Sequence, residues 1–287
     1  MKKWAIAAMF VTAAVGVYSL IAVHGANASN LSKETANVQS EARVIRDKML
    51  NAVDHYSYAK GSFLSTNTQG DTRRIIFEVV QGENPGSRVL VEDEHGNKLR
   101  ERISDANILV TKDFSNKTFT KSSIVKWGKP EDSRTSKNED GNNVYIYRRA
   151  PASASYAAEV TFPQEVAFWI NDEEKNVTSI GHTTMFGREA TIIKGSMLKS
   201  MRGKAEKFAM YVDTETGILL GLETTRDDGT PGMSVKVEEM VIDQEPGMTA
   251  SSFDTSDPVG YTEIKPDNIK QMVEEKSKQA AEETNKQ

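Results

Sequence analysis

Ser57-Tyr58-Ala59-Lys60 and Ser196-Met197-Leu198-Lys199 match Ser-x-x-Lys, the spacing at which a lysine amine can take the proton of a serine nucleophile. Enzymes built on that pair also carry Ser-Asp-Asn and Lys-Thr-Gly elements, and the chain has neither. So short a pattern recurs by chance, and no catalytic role follows from it. Ser136, Asn138, Asp140 and Gly141 imitate the start of a calcium loop, but the twelfth position is Tyr147 instead of Glu, so the stretch is a turn. The 4 histidines, His24, His55, His95 and His182, are scattered, and no pair has the i, i+4 spacing of metal ligands. Each is expected to be a surface or satisfied core residue. Gly-x-Ser-x-Gly, His-Glu-x-x-His and a Gly-rich phosphate loop are all missing. The expectation is a protein that is not an enzyme and uses no cofactor or metal.

The chemistry left is association. Lys194, Lys199, Arg202, Lys204 and Lys207 surround a single acid, Glu206, with Met197, Leu198 and Met201 interleaved. Near an anionic bilayer each basic group contributes about 1 kcal/mol, so Lys199, Arg202, Lys204 and Lys207 form a candidate membrane-surface contact. The alternative is a solvated loop whose Met and Leu tuck under the rim of a sheet.

The address comes from the N-terminus. Lys2 and Lys3 precede an apolar run from Trp4 to Val23, and Ala26-Asn27-Ala28 offers the small-x-small pattern of a signal-peptidase site. Residues 1–28 therefore read as a signal peptide, with an uncleaved anchor through residues 4–23 as the rival, since the run is long enough to span a bilayer. Both readings place Ser29 onward outside the cytoplasm, because the positive charge sits on the short side. With 0 Cys, disulfides, thiolate metal sites and attachment of lipid to a cysteine are excluded. The charge of −5 becomes −7 when Lys2 and Lys3 leave with the signal, which argues against nucleic acid as a partner.

The elements that would position a binding surface are mostly strands. Asn30 to Val53 reads as a helix with Ser32 as N-cap and a stripe of Val38, Ala42, Ile45, Met49 and Val53. From Tyr58 to Ser123 strands alternate with tight turns such as Glu94-His95-Gly96-Asn97. In one of them Phe77 and Val79 share a face. Lys126 to Asn143 is polar and reads as an exposed excursion, Val144 to Arg148 as a short strand, and Ala150 to Ala158 is bland. Pro163 opens a short helix, and Val177–Met185 and Arg188–Lys194 form a strand pair. A three-strand unit from Lys207 to Ile242 follows, with Met210 and Val212, Leu220 and Leu222, and Val235 and Val237 each on one face. Pro266 to Asn285 reads as a fraying helix. No helix of crossover length fits between the strands, so the sheet is antiparallel. The expected class is α+β, mainly antiparallel β: a curled half-barrel of about eleven strands wrapping around two or three helices. Phe77, Val79, Met210, Val212, Leu220, Leu222, Val235 and Val237 are candidates for an apolar concave face that holds a ligand, or for core beneath the helices.

Three motifs give this layout a family resemblance. Phe186-Gly187-Arg188-Glu189-Ala190 is similar to a Gly-Arg-x-Ala strand start, and Tyr211-Val212-Asp213-Thr214-Glu215-Thr216-Gly217-Ile218-Leu219-Leu220 to an Asp-x-x-Thr-Gly-Leu hairpin. Tyr58-Ala59-Lys60-Gly61-Ser62-Phe63 is similar to an opening Tyr-x-Gly-x-Phe strand, with one residue more before the Gly. These resemble the extracytoplasmic lipoprotein carriers of the LolA type and the N-terminal domain of the RseB/MucB envelope-stress regulators. The resemblance spans Leu31 to Asp254 and suggests a domain over residues 29–254 with a polar, partly helical tail over 255–287. It implies a half-open barrel whose concave face holds or senses a lipid or lipoprotein acyl chain, with a membrane-bound anti-sigma factor or envelope protein as the alternative partner. RseB has a second domain, where this chain has mostly polar residues after Phe253.

Overall fold

The computed structural model describes residues 28–124, 134–139, 141, 143–171, 175–198, 206–244 and 249–265. By its contacts the chain divides into a short unit, Met1–Ala36, and a large one, Asn37–Gln287. The described part of the short unit is the opening of helix α1, Ala28–Leu50. The signal segment and the helix expected over Pro266 to Asn285 lie outside the described residues. Ser32 falls inside α1 and so does not cap it, and α1 stops at Leu50, where a 3-10 turn takes Ala52–Asp54 instead of the helix running to Val53.

Two antiparallel meanders make the sheet. The first comprises β1 (Tyr58–Thr66), β2 (Thr72–Val80), β3 (Gly86–Glu92), β4 (Lys98–Ser104), β5 (Ile108–Asp113) and β6 (Thr118–Ser123). Two small strands, β7 (Thr135–Lys137) and β8 (Asn143–Tyr145), then pair with each other apart from the main sheet. A connecting segment follows with α2 (Ala158–Thr161) and α3 (Gln164–Ala167). The second meander is β9 (Val177–Met185), β10 (Arg188–Ser196), β11 (Lys207–Asp213), β12 (Leu219–Thr225) and β13 (Pro231–Ile242), and β14 (Thr262–Glu263) adds in parallel beside β6. The order is β14-β6-β5-β4-β3-β2-β1-β13-β12-β11-β10-β9, a 12-stranded sheet. The seam between the meanders is the β1–β13 pair, Ala59 facing Ile242 and Thr66 facing Ser234.

The sheet is bent. Residues 155–161 reach β2, β3 and β12, although β3 and β12 are four places apart in the sheet order. At about 4.8 Å per strand a flat sheet would set those two strands about 19 Å apart, too far for so short a segment. The curled, unclosed sheet around short helices is the expected fold. On β2, Ile75, Phe77 and Val79 face the concave side and join one apolar cluster with Ala42, Ile45 and Met49 of α1. Tyr58 and Val80 face the other side, where Ile103 and Phe253 cover them.

Each motif of the sequence has a mechanical explanation here. Gly61 stands at the seam, where a Cβ would lie 2.1 Å from the Glu239 carbonyl oxygen, beside the bulge at Ser62/Phe63. Arg188 and Asp213 form a buried ion pair, Nε to Oδ2 at 2.6 Å, and Asp213 Oδ1 also accepts from the Thr216 amide and hydroxyl. Burial would raise the Asp213 carboxyl, but the bonds from Arg188 and Thr216 outweigh it and hold it below the usual carboxylate range. Gly217, at φ +79°, lets the last turn of α1 rest on the hairpin, since a Cβ there would lie 2.5 Å from the Lys48 carbonyl carbon. Lys48 Nζ then donates to the Thr214 carbonyl at 2.6 Å.

Candidate functional site: the concave face

Phe77, Val79, Met210, Val212, Leu220, Leu222, Val235 and Val237 all belong to the same buried cluster, the most exposed being Val237 at 7%. Strand alternation gathers them on one side of the sheet, and the β1–β13 seam brings the two meanders into one surface. Helix covers that surface. Ala42, Ile45 and Met49 descend from α1, Val160 from α2, and Val166, Ala167, Phe168, Trp169 and Ile170 from α3 and its exit. Trp169 meets Phe208 of β11 with ring centroids 6.0 Å apart. Ala152, Ala154 and Ala157 from the bland stretch are buried here too.

The roof is tied at identifiable points. Gln39 Nε2 donates to the Val177 carbonyl at 3.0 Å, and His182 Nε2 of β9 lies 3.2 Å from Glu41 Oε1. Arg134, from the polar stretch read as an exposed excursion, donates to the Leu50 carbonyl at 2.7 Å and closes the C-terminus of α1. Its other nitrogens reach the Ile146 carbonyl and Gln164 Oε1. At the edge of α2, Glu159 accepts from Ser65 Oγ of β1 at 3.1 Å. Burial pushes its carboxyl up from 4.5 to about 7, against the Ser65 bond and with a small addition from Glu165.

The concave face changes character beyond β3. Register pairs Val89 with Arg102, Arg102 with Thr111, and Thr111 with Thr120, so these residues line one side of β4–β6. Arg100, opposite Val91, is on that side as well. Arg102 donates to Ser155 Oγ at 3.0 Å, yet its Nε is buried without an acceptor. Burial lowers its pKa, Tyr156 opposes this, and Arg100 adds to it. On the convex side of the same strands Glu101 is held between Arg88 at 2.7 Å and Lys112 at 2.9 Å. Arg74 pairs with Glu238 at 2.8 Å. The sequence reading missed Arg102, because Lys98-Leu99-Arg100-Glu101-Arg102 puts charge on both faces and gives no sign of which will find partners.

Of the basic loop, Lys199, Arg202 and Lys204 lie outside the described residues, while Lys207 is exposed at the start of β11. Met197 and Leu198 are buried, Met197 in the concave cluster, so neither is presented to a bilayer. Among the described residues no group of His, Cys, Asp and Glu could hold a metal, and no helix is long and apolar enough to cross a membrane.

These features define a class: a curled antiparallel sheet whose apolar concave face is roofed by its own helices. No family model and no curated protein matches the chain. Among solved structures it is similar to an uncharacterized conserved protein from Thermus thermophilus, at 9% identity and TM-score 0.40, over 78% of this chain and 98% of that one. It is similar to the MucA/MucB complex structure from Pseudomonas aeruginosa at 12% identity and TM-score 0.38, over 76% of this chain. There it spans 64% of the matched chain, just under two thirds of its length. A LolA superfamily protein from Nitrosomonas europaea is similar at 10% identity and TM-score 0.23, over 70% of this chain and 94% of that one. Both groups that the motifs resemble are thus among the similar structures. Likeness this distant says nothing of ligand or partner.

Proposed function

We propose that the chain is a non-enzymatic, extracytoplasmic binding protein that holds or senses a lipid or lipoprotein acyl chain against its concave apolar face. The observation that carries this reading is the nature of the cover. The apolar face is closed by helices fastened at a few points and not by a second sheet, so the cover can be exchanged without unmaking the β-ladder. Magnitudes allow the exchange. Ile45 and Met49 contribute about 2 kcal/mol each, and half-buried Val38 and the single methyl of Ala42 about 1 each, near 6 together, whereas an acyl chain of about fourteen methylenes at about 0.8 kcal/mol each brings about 11. The basic stretch with Lys199, Arg202, Lys204 and Lys207 would bring the protein to a membrane surface, and the N-terminal segment would export it. Extraction of the purified mature protein followed by mass spectrometry tests the reading. Copurifying acyl chains, or their uptake by delipidated protein, are expected; absence of both ends it.

A second reading has its own support: every trough residue is already buried by the chain's own helices. The domain would then be a regulatory module acting on a membrane-bound anti-sigma factor or another envelope protein. Capture of such a partner from solubilised membranes by lipid-free protein is the outcome expected of it, and no partner under those conditions counts against it.

A further inference from the structure

We propose that Arg102 and Arg100, on the concave face of β4, bind a phosphate group, and that this group heads the amphiphile whose hydrocarbon occupies the adjoining apolar trough. The second half of the inference rests on the function proposed above; the first half does not.

Among the described residues Arg102 and Arg100 form no ion pair, although Asp113 stands opposite Arg100 in the register, while Arg74, Arg88 and Lys112 on the opposite face are each matched to a carboxylate. The Nε of Arg102 is buried without an acceptor. A buried donor left without a partner is costly, and an oxyanion would satisfy it. A guanidinium donates two parallel bonds to such a group, which makes Arg the usual reader of phosphate. Hydroxyls stand around it. Thr111 and Thr120 are successive cross-strand neighbours of Arg102, and their hydroxyls make no hydrogen bond with the described residues. Ser155 accepts from Arg102 and keeps its own proton to donate. The site also touches the trough. Val89, paired with Arg102, is fully buried in the apolar cluster, and Tyr156 packs against that cluster while acting on the Arg102 charge. A head on Arg102 would therefore have its chain enter beside Val89.

The test uses the mature protein with dodecyl phosphate, dodecyl maltoside and inorganic phosphate, all below micelle formation, followed by titration calorimetry. Dodecyl phosphate is expected to bind at least about tenfold more tightly than the maltoside, and Arg102→Gln to abolish that advantage; tenfold is 1.4 kcal/mol. Arg100 is exposed, so Arg100→Gln keeps the fold and decides the matter should Arg102→Gln not fold; a loss of several-fold is expected. Competition by inorganic phosphate would assign the site to the anion itself, and indifference to it would assign the site to the headgroup with its chain. Equal binding of both amphiphiles, unaltered in either variant, overturns the phosphate site and leaves the trough standing. Binding of inorganic phosphate without either amphiphile keeps the site and overturns the headgroup. Binding of none overturns both.

Discussion

The concave face holds two regions that differ across a single strand pair. Over β1–β3 and β10–β13 it is apolar and roofed by helix; over β4–β6 it is lined by Arg100, Arg102, Thr111, Thr120 and, at the strand end opposite Arg100, Asp113, with the Ser155–Tyr156 turn at the border. Among the described residues the roof leaves a neutral amide oxygen, Gln39 Oε1, without a partner, whereas the second region leaves a nitrogen of a charged guanidinium buried and unsatisfied. The lesson is that burial alone does not identify a site. In this molecule the more informative residue is the polar one whose partners are missing.

The largest expected effects fall in the roofed region. Phe77→Ala should cost about 3–5 kcal/mol in chemical denaturation, because its ring is buried against Phe63 with centroids 6.0 Å apart. Asp213→Ala should cost about as much, by leaving Arg188 without its buried partner. The low Asp213 pKa adds that this stabilisation is present at neutral pH and lost as pH falls below the usual carboxylate range. Gly217→Ala should cost about 2–3 kcal/mol, through strain at positive φ and contact with Lys48, and thermal melting would show it. The Glu159 carboxyl lies at about 7 in the folded protein against 4.5 unfolded. Its contribution is therefore full below pH 4.5 and lost as pH rises through about 7, on the order of 2 kcal/mol after allowance for its partial exposure. Glu159→Gln should flatten that slope in stability measured at pH 5 and pH 8. The smallest effect is expected in the polar strip, where Thr120→Val should stay within about 0.5 kcal/mol. A larger loss there than at Phe77 would reverse the comparison.

Much of the β-structure was legible because alternation and Gly turns are local signals. Met210, Val212, Leu220 and Leu222 declared their face by period two, and Ile45 and Met49 theirs by the helical stripe. Pairing at long range was not legible. Nothing local says that Arg188 reaches Asp213, or that Gly61 will be pressed against Glu239. Ala152, Ala154 and Ala157 were passed over because Ala carries too little hydrophobic contrast to mark a buried face. The isolation of Arg102 depends on which carboxylates the register delivers to the convex side, and that is a property of the sheet as a whole.

The seam between β1 and β13 has a kinetic consequence. Most of the described chain separates Ala59 from Ile242, so the central ladder cannot close until the last long strand has emerged. Pairings this remote slow folding and leave strand edges bare meanwhile. A chain threaded outward from its N-terminus would present β1 and β2 as an unfinished hairpin throughout its passage, and whatever shields that hairpin in transit would govern the yield of native protein.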